Sequence, residues 1–294
     1  MKQEEVSLSH ESPNDEYLLG NRICNLYATE YERSCARMLD ALARKIYCTL
    51  TPEQQALFNM DGFYPYYFSQ PLKILFVGRE ACWMSKKNYM VTLHEELKEG
   101  RVGYYSVNQY PFHKRQFYIA YVLLARAAGL GSFPEWDDVP WASDLARILF
   151  ARKEVNKDSI EDVKIKPVSC LQGMSWAFMN LSKISNDTGD WTTDNKRYGS
   201  FVQPRYDFVR EEIAILRPDV IVGANVYDLV PILGYEDAES DCKTDKNCFY
   251  YPPKNGFPPF LNCYHFSAIM NDKTCFYDAV KKVADKYWSE IVRK

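Results

Sequence analysis

Four polar side chains stand where short apolar runs end, and together their chemistry suits a hydrolysis. Glu80 closes the run Lys73-Ile74-Leu75-Phe76-Val77-Gly78-Arg79-Glu80, and Asn180 closes Ser175-Trp176-Ala177-Phe178-Met179-Asn180. Asn225 lies just past Val220-Ile221-Val222-Gly223, and His265, with Ser267 two residues on, follows the run over residues 259–264. A carboxylate can orient a water or stabilise a cation, and an imidazole can donate a proton or stabilise a developing anion. A primary amide can read the edge of a planar ligand with one donor and one acceptor. Each has an ordinary explanation when taken alone. A glutamate after a strand can start a helix, an asparagine can cap a turn, and a histidine among aromatics can simply pack. Their shared placement sets them apart. Continuous apolar runs suit strands buried on both faces of a parallel sheet, and in such sheets ligands bind beyond the carboxyl ends of the strands.

The elements that must position these groups can be read along the chain of 294 residues, which is long enough for one large α/β domain with an extension or for two small domains. Residues 1–16 are polar and charged and read as a mobile arm. From residue 17 to 47 apolar side chains recur at helical spacing, among them Leu26, Tyr31, Cys35, Met38, Leu42 and Ile46. Thr51 with Pro52 marks a helix start. Residues 17–70 are therefore expected to form a helical extension packed on the core domain, 71–294. There, strands over 73–77, 175–180, 220–223 and 259–264, with an extended segment over 102–107, alternate with helices over 114–128, 142–150, 206–216 and 273–292 and a short one after Val226. That alternation predicts a three-layer αβα sandwich around a small, mainly parallel four-stranded sheet. Residues 186–199, with Trp191, and 236–259 read as irregular loops.

Composition narrows the partners. The net charge of −3 argues against a strongly cationic nucleic-acid coat, although 36 Lys and Arg can still form a local basic patch. The 22 Tyr, 16 Phe and 6 Trp mostly serve packing, and their excess also suits a site that stacks flat ligands. Nine cysteines without a CxxC pair lead us to expect neither metal nor cofactor, and a reducing, cytoplasmic setting. No apolar run approaches the roughly 18 residues that span a membrane, so no membrane partner is expected, and the chain is read as a monomer.

The order of these segments over residues 71–294 resembles the uracil-DNA glycosylase superfamily, whose members hold a small parallel sheet between helices. That family's first motif is a glycine, a variable residue, an Asp, Asn or Ala, and a proline, to which Gly78-Arg79-Glu80-Ala81 is similar. Tyr105 in Tyr105-Ser106-Val107 is similar in placement to the aromatic that stacks on the flipped base, and Asn180 to the base-reading asparagine. Leu216-Arg217-Pro218-Asp219 resembles a turn that precedes a core strand, and His265-Phe266-Ser267 the closing His-Pro-Ser motif. Proline is replaced by Ala81 and Phe266, and Glu80 is one methylene longer than the usual Asp. The resemblance implies hydrolysis of an N-glycosidic bond in DNA, with Glu80 and His265 catalytic and Asn180, Tyr105, Gly78 and Arg79 holding the base. Ser267, Lys183 and Asn225 would meet phosphate or DNA, and Ile269 or Met270 would serve as the wedge. Two other readings use the same cleft: a non-catalytic protein binding nucleic acid or a nucleotide, and a hydrolase of a small nucleoside-like metabolite.

Overall fold

A computed structural model describes residues 26–152, 171, 173–188, 192–235 and 245–293. The arm expected at 1–16, the start of the helical run at 17–25, Trp191 and residues 236–244 of the second loop lie outside the described residues.

Helix α1 (Glu30–Tyr47) starts from a capping box in which Thr29 and Glu32 satisfy each other's backbone N–H. Its buried stripe includes Cys35, Leu39, Leu42 and Ile46, while Tyr31 and Met38, expected on that stripe, are exposed. Thr51 caps α2 (Pro52–Ala56) with Pro52 in the first turn, as the sequence signals. There follow β1 (Gly62–Phe63), β2 (Ile74–Cys82), α3 (Tyr89–Lys98), the hairpin β3 (Arg101–Val102) and β4 (Tyr105–Ser106), α4 (Pro111–Ala127) and α5 (Ala142–Leu149). The second half holds β5 (Ala177–Asn186), α6 (Asn195–Val202), α7 (Tyr206–Leu216), β6 (Val220–Ala224), α8 (Leu229–Leu233), β7 (Cys248–Tyr251), β8 (Phe260–Cys263) and α9 (Asp278–Ile291).

The chain is α/β, with a mixed six-stranded sheet in the order β1-β5-β2-β6-β8-β7. The inner four strands are parallel, and β1 and β7 close the edges antiparallel. Three expectations change. Residues 17–70 are not purely helical, because β1 comes from them; two residues are too few to show a periodicity. The loop read over 236–259 supplies β7, whose alternating burial marks an edge strand. Residues 102–107 form the separate β3–β4 hairpin and do not join the main sheet.

Two core strands also outrun their expected ends. β2 continues through Glu80 to Cys82, and β5 continues from Asn180 to Asn186 with every residue buried. A strand can pass through polar residues when each finds a partner, and Lys183 does so between Asp61 and Glu212.

Alternation along β2 sorts the two layers. Ile74 and Phe76 enter a cluster with Leu93, Phe117, Leu145 and Val280, from α3, α4, α5 and α9. Leu75 and Val77 enter the opposite cluster with Leu39, Phe201, Ile213 and Leu229, from α1, α6, α7 and α8. Among the described residues no helix is long and apolar enough to cross a membrane.

Candidate functional site at the carboxyl edge of the parallel strands

Glu80 lies within β2 rather than after it, opposite Ser182 of β5, and the register slips between Glu80 and Cys82. Such a bulge turns the chain and re-aims its side chains. The Glu80 side chain is only 4% exposed, and its Oε2 faces Arg197 Nη2 of α6 at 3.5 Å. Oε1 is buried with no hydrogen-bond partner. Burial pushes this carboxyl above its ordinary range, while Arg197 and Thr193 pull it back in part. Trp83, three residues on, adopts φ 60° and stands exposed beside the strand end.

Asn180 pairs with Gly78, so Asn180 and Glu80 are diagonal neighbours on one face of adjacent strands. A Cβ on Gly78 would stand 2.6 Å from Asn180 Oδ1, so only glycine lets the amide lie across β2. The Asn180 Nδ2 is buried without a partner. Its backbone N–H donates to Asp61 Oδ2 at 2.5 Å, so the Asp61 side chain takes over where the short β1 ends.

His265 follows β8. The Ser267 backbone N–H donates to His265 Nδ1 at 3.2 Å, which leaves the ring's proton on Nε2. Burial, with the charges of Arg79 and Arg115, holds the imidazole below its usual pKa and hence neutral at pH 7. Phe112, at the start of α4, sets its ring 5.7 Å from His265 and 5.9 Å from Phe178. The turn beyond His265 is built around Arg115 of α4, itself 3% exposed. Its guanidinium donates to the carbonyls of Phe266, Ala268 and Met270 at 2.5, 2.8 and 2.8 Å, and its Nε donates to Asp272 Oδ1 at 2.8 Å. Met270 packs on the core, whereas Ile269 projects fully into solvent at 105% exposure.

No protein-family model matches this chain, and no curated protein does.

The other expected residues fall in different places. Tyr105 is exposed on the hairpin, its ring 6.2 Å from Tyr110, whereas Phe112 is the ring beside His265. Arg79 points to the opposite face from Asn180, donating to Asn195 Oδ1 at 2.9 Å and lying 4.3 Å over the Tyr198 ring. It braces α6 and contributes charge rather than reading a base edge. Lys183 does not face a phosphate. Its ammonium is buried 2.6 Å from Asp61 and 2.8 Å from Glu212. Asn225 is exposed in a left-handed conformation, φ 61°, its N–H donating to the Cys263 carbonyl at 2.9 Å. Ser267 is exposed and serves His265 through its backbone.

Phe112, Arg115, Arg197 and Asp61 escape a reading of the sequence. The one signal is Arg115 itself, a charge just before the apolar run of α4, where a buried position needs a partner. Among the described residues no cluster of three or more His, Cys, Asp or Glu is arranged to hold a metal ion.

Proposed function

We propose that the protein is a DNA glycosylase of the uracil-DNA glycosylase kind, hydrolysing the N-glycosidic bond of uracil or another deaminated or damaged base. The observation that carries this reading is the pair of buried, unpartnered polar atoms, Glu80 Oε1 and Asn180 Nδ2, on one face of adjacent strands, at the sheet edge to which parallel β8 also brings His265. Other buried polar atoms among the described residues also lack a partner; these two are set apart because they lie on adjacent parallel strands near the carboxyl edge of the sheet, where a polar ligand and a water can complete them. The four parallel inner strands and the approach of Gly78 to Asn180 support the same reading.

In this mechanism the base leaves the helix stack, which costs a few kcal/mol and favours mispaired or single-stranded substrates. Asn180 reads its edge and Phe112 offers a ring face. Glu80, ionised, orients a water through Oε1 while its charge favours the cation-like sugar. The C–N bond breaks, its electron pair leaves with the base, and the water oxygen bonds to the sugar carbon. The water's proton passes to Glu80. His265 Nε2–H donates a hydrogen bond to the departing anion, and burial, with the charges of Arg79 and Arg115, keeps that ring neutral. Ile269, at the tip of the Arg115-held turn, fills the gap left by the base. Lys196, exposed on α6 next to Arg197, would meet a phosphate of the bound strand.

The test is release of free base from oligonucleotides carrying uracil, hypoxanthine, xanthine or alkylated bases. Wild-type protein should release at least one of them. Glu80→Gln and His265→Ala should each lose about 100-fold or more. Because burial disfavours the ionised carboxylate, Glu80→Gln should keep a melting temperature at or above wild type. Release across the panel by neither strand form, from folded protein, would sink the proposal; salt-sensitive binding without turnover would point to the non-catalytic reading.

A further inference from the structure

We propose that Cys248 and Cys263 are a redox modification site, closing reversibly into a disulfide that staples the edge strand β7 to β8. The two residues are directly opposite each other in the antiparallel pair. Their sulfurs are 3.7 Å apart, and both residues are buried. Opposed residues in antiparallel strands have Cα atoms roughly 4.5–5.5 Å apart, inside the roughly 4.4–6.8 Å span that a disulfide bridges. The bond therefore needs side-chain rotation and no rearrangement of the strands. Among the described cysteines, Cys35, Cys48, Cys82 and Cys275 show no comparable sulfur–sulfur contact.

Two buried thiols facing each other can also be small apolar fillers. Their place in the sheet favours chemistry. β7 is one of the two edge strands and among the described residues pairs on one side only, so it opens at lower cost than the inner strands and lets a reagent reach the pair. The hydrogen-bonded contact with the Cys263 thiol, and burial, hold the Cys248 thiol protonated, so the reaction should be slow at neutral pH and speed up as pH rises. The oxidant is a low-molecular-weight disulfide. One protein thiolate attacks it, forming a mixed disulfide and releasing one small thiol. The second protein thiolate attacks the bound protein sulfur and releases the other. Two protein thiols are oxidised and one small disulfide is reduced to two thiols. Excess small thiol runs the same exchange backwards, which makes the bridge reversible.

The experiment uses the full chain and oxidised glutathione at pH 8, followed by alkylation, digestion and mass spectrometry. A peptide joining Cys248 to Cys263 is expected, lost again on reduction with dithiothreitol. The oxidised protein should melt about 5 °C above the reduced one. Cys248→Ser should abolish both the joined peptide and the shift, and Cys82→Ser should change neither. Since the main comparison is wild type with and without reductant, a misfolded variant leaves it standing. Recovery of both cysteines alkylated, or carrying only glutathione, after prolonged oxidation would overturn the proposal. So would pairing of either with another cysteine, such as Cys242.

Discussion

Asn180 can lie across β2 because Gly78 has no side chain, and the two residues therefore act as one unit. A methyl at Gly78 would meet Asn180 Oδ1 at 2.6 Å and Phe178 Cζ at 3.4 Å. The amide would have to turn away, and its turn would carry the unpartnered Nδ2 off the edge it shares with Glu80. Gly78→Ala is expected to lower base release by about 10-fold or more and to cost about 1–3 kcal/mol of stability from crowding. Removing the amide removes the clash, so in an Asn180→Ala background the same substitution should cost clearly less. A double-mutant cycle read by urea melts measures that coupling. Equal costs in both backgrounds would show that the amide and the glycine do not meet.

The turn between β8 and α9 depends on one element reaching across to another. Arg115 on α4 gathers three carbonyls and Asp272 into a rigid arch that fixes His265 at its base and Ile269 at its tip. Lysine keeps the charge but cannot satisfy several acceptors in fixed directions. Arg115→Lys should therefore fold, lose about 2–3 kcal/mol of stability, and lose base release by more than Ile269→Ala does. Those costs are read by thermal melts and single-turnover kinetics; a variant with wild-type kinetics would show that the arch does not position His265. The strand-end rule brought Glu80, Asn180 and His265 to notice because each ends or interrupts an apolar run. It did not show Arg115, because its partners lie far along the chain and nothing local announces them. The family resemblance, not that rule, sends Lys183 toward a phosphate. In the fold β5 continues past it, and Asp61, just before β1, and Glu212 of α7 enclose its ammonium. The helix caps at Thr29 and Thr51 depend on neighbours a few residues away; of these, the Thr51–Pro52 start was plain in the sequence.

On the scale of the whole molecule, the buried ionisable groups of the two layers pull stability in opposite directions with pH. On the α3–α4 side His113 is enclosed by Tyr89, Phe112 and Gln116, and burial pushes it down to about 4. An unfolded histidine takes up its proton near 6.5, so His113 contributes stability above that pH and loses it as pH falls toward 4. On the α1–α7 side Glu212 faces Lys183 and Asp61, and burial followed by the Asp61 charge pushes it up to about 8, against the pull of Lys183. A raised carboxyl acts the other way. Its contribution is full below the unfolded value of 4.5 and is lost as pH rises to about 8. Lys183 is itself raised, because the two carboxylates outweigh the cost of its burial, and it stays charged throughout this range. Between pH 4.5 and 6.5 the two slopes oppose each other. Above 6.5 the histidine contribution is complete, and stability should fall by about 2 kcal/mol up to pH 8. Glu212→Gln should flatten that alkaline limb and uncover the histidine limb, so that the variant loses stability only as pH falls below 6.5. Urea melts at pH 5, 6.5 and 8.5 on both proteins measure the two slopes, and an alkaline limb that survives in Glu212→Gln would place its origin outside the triad.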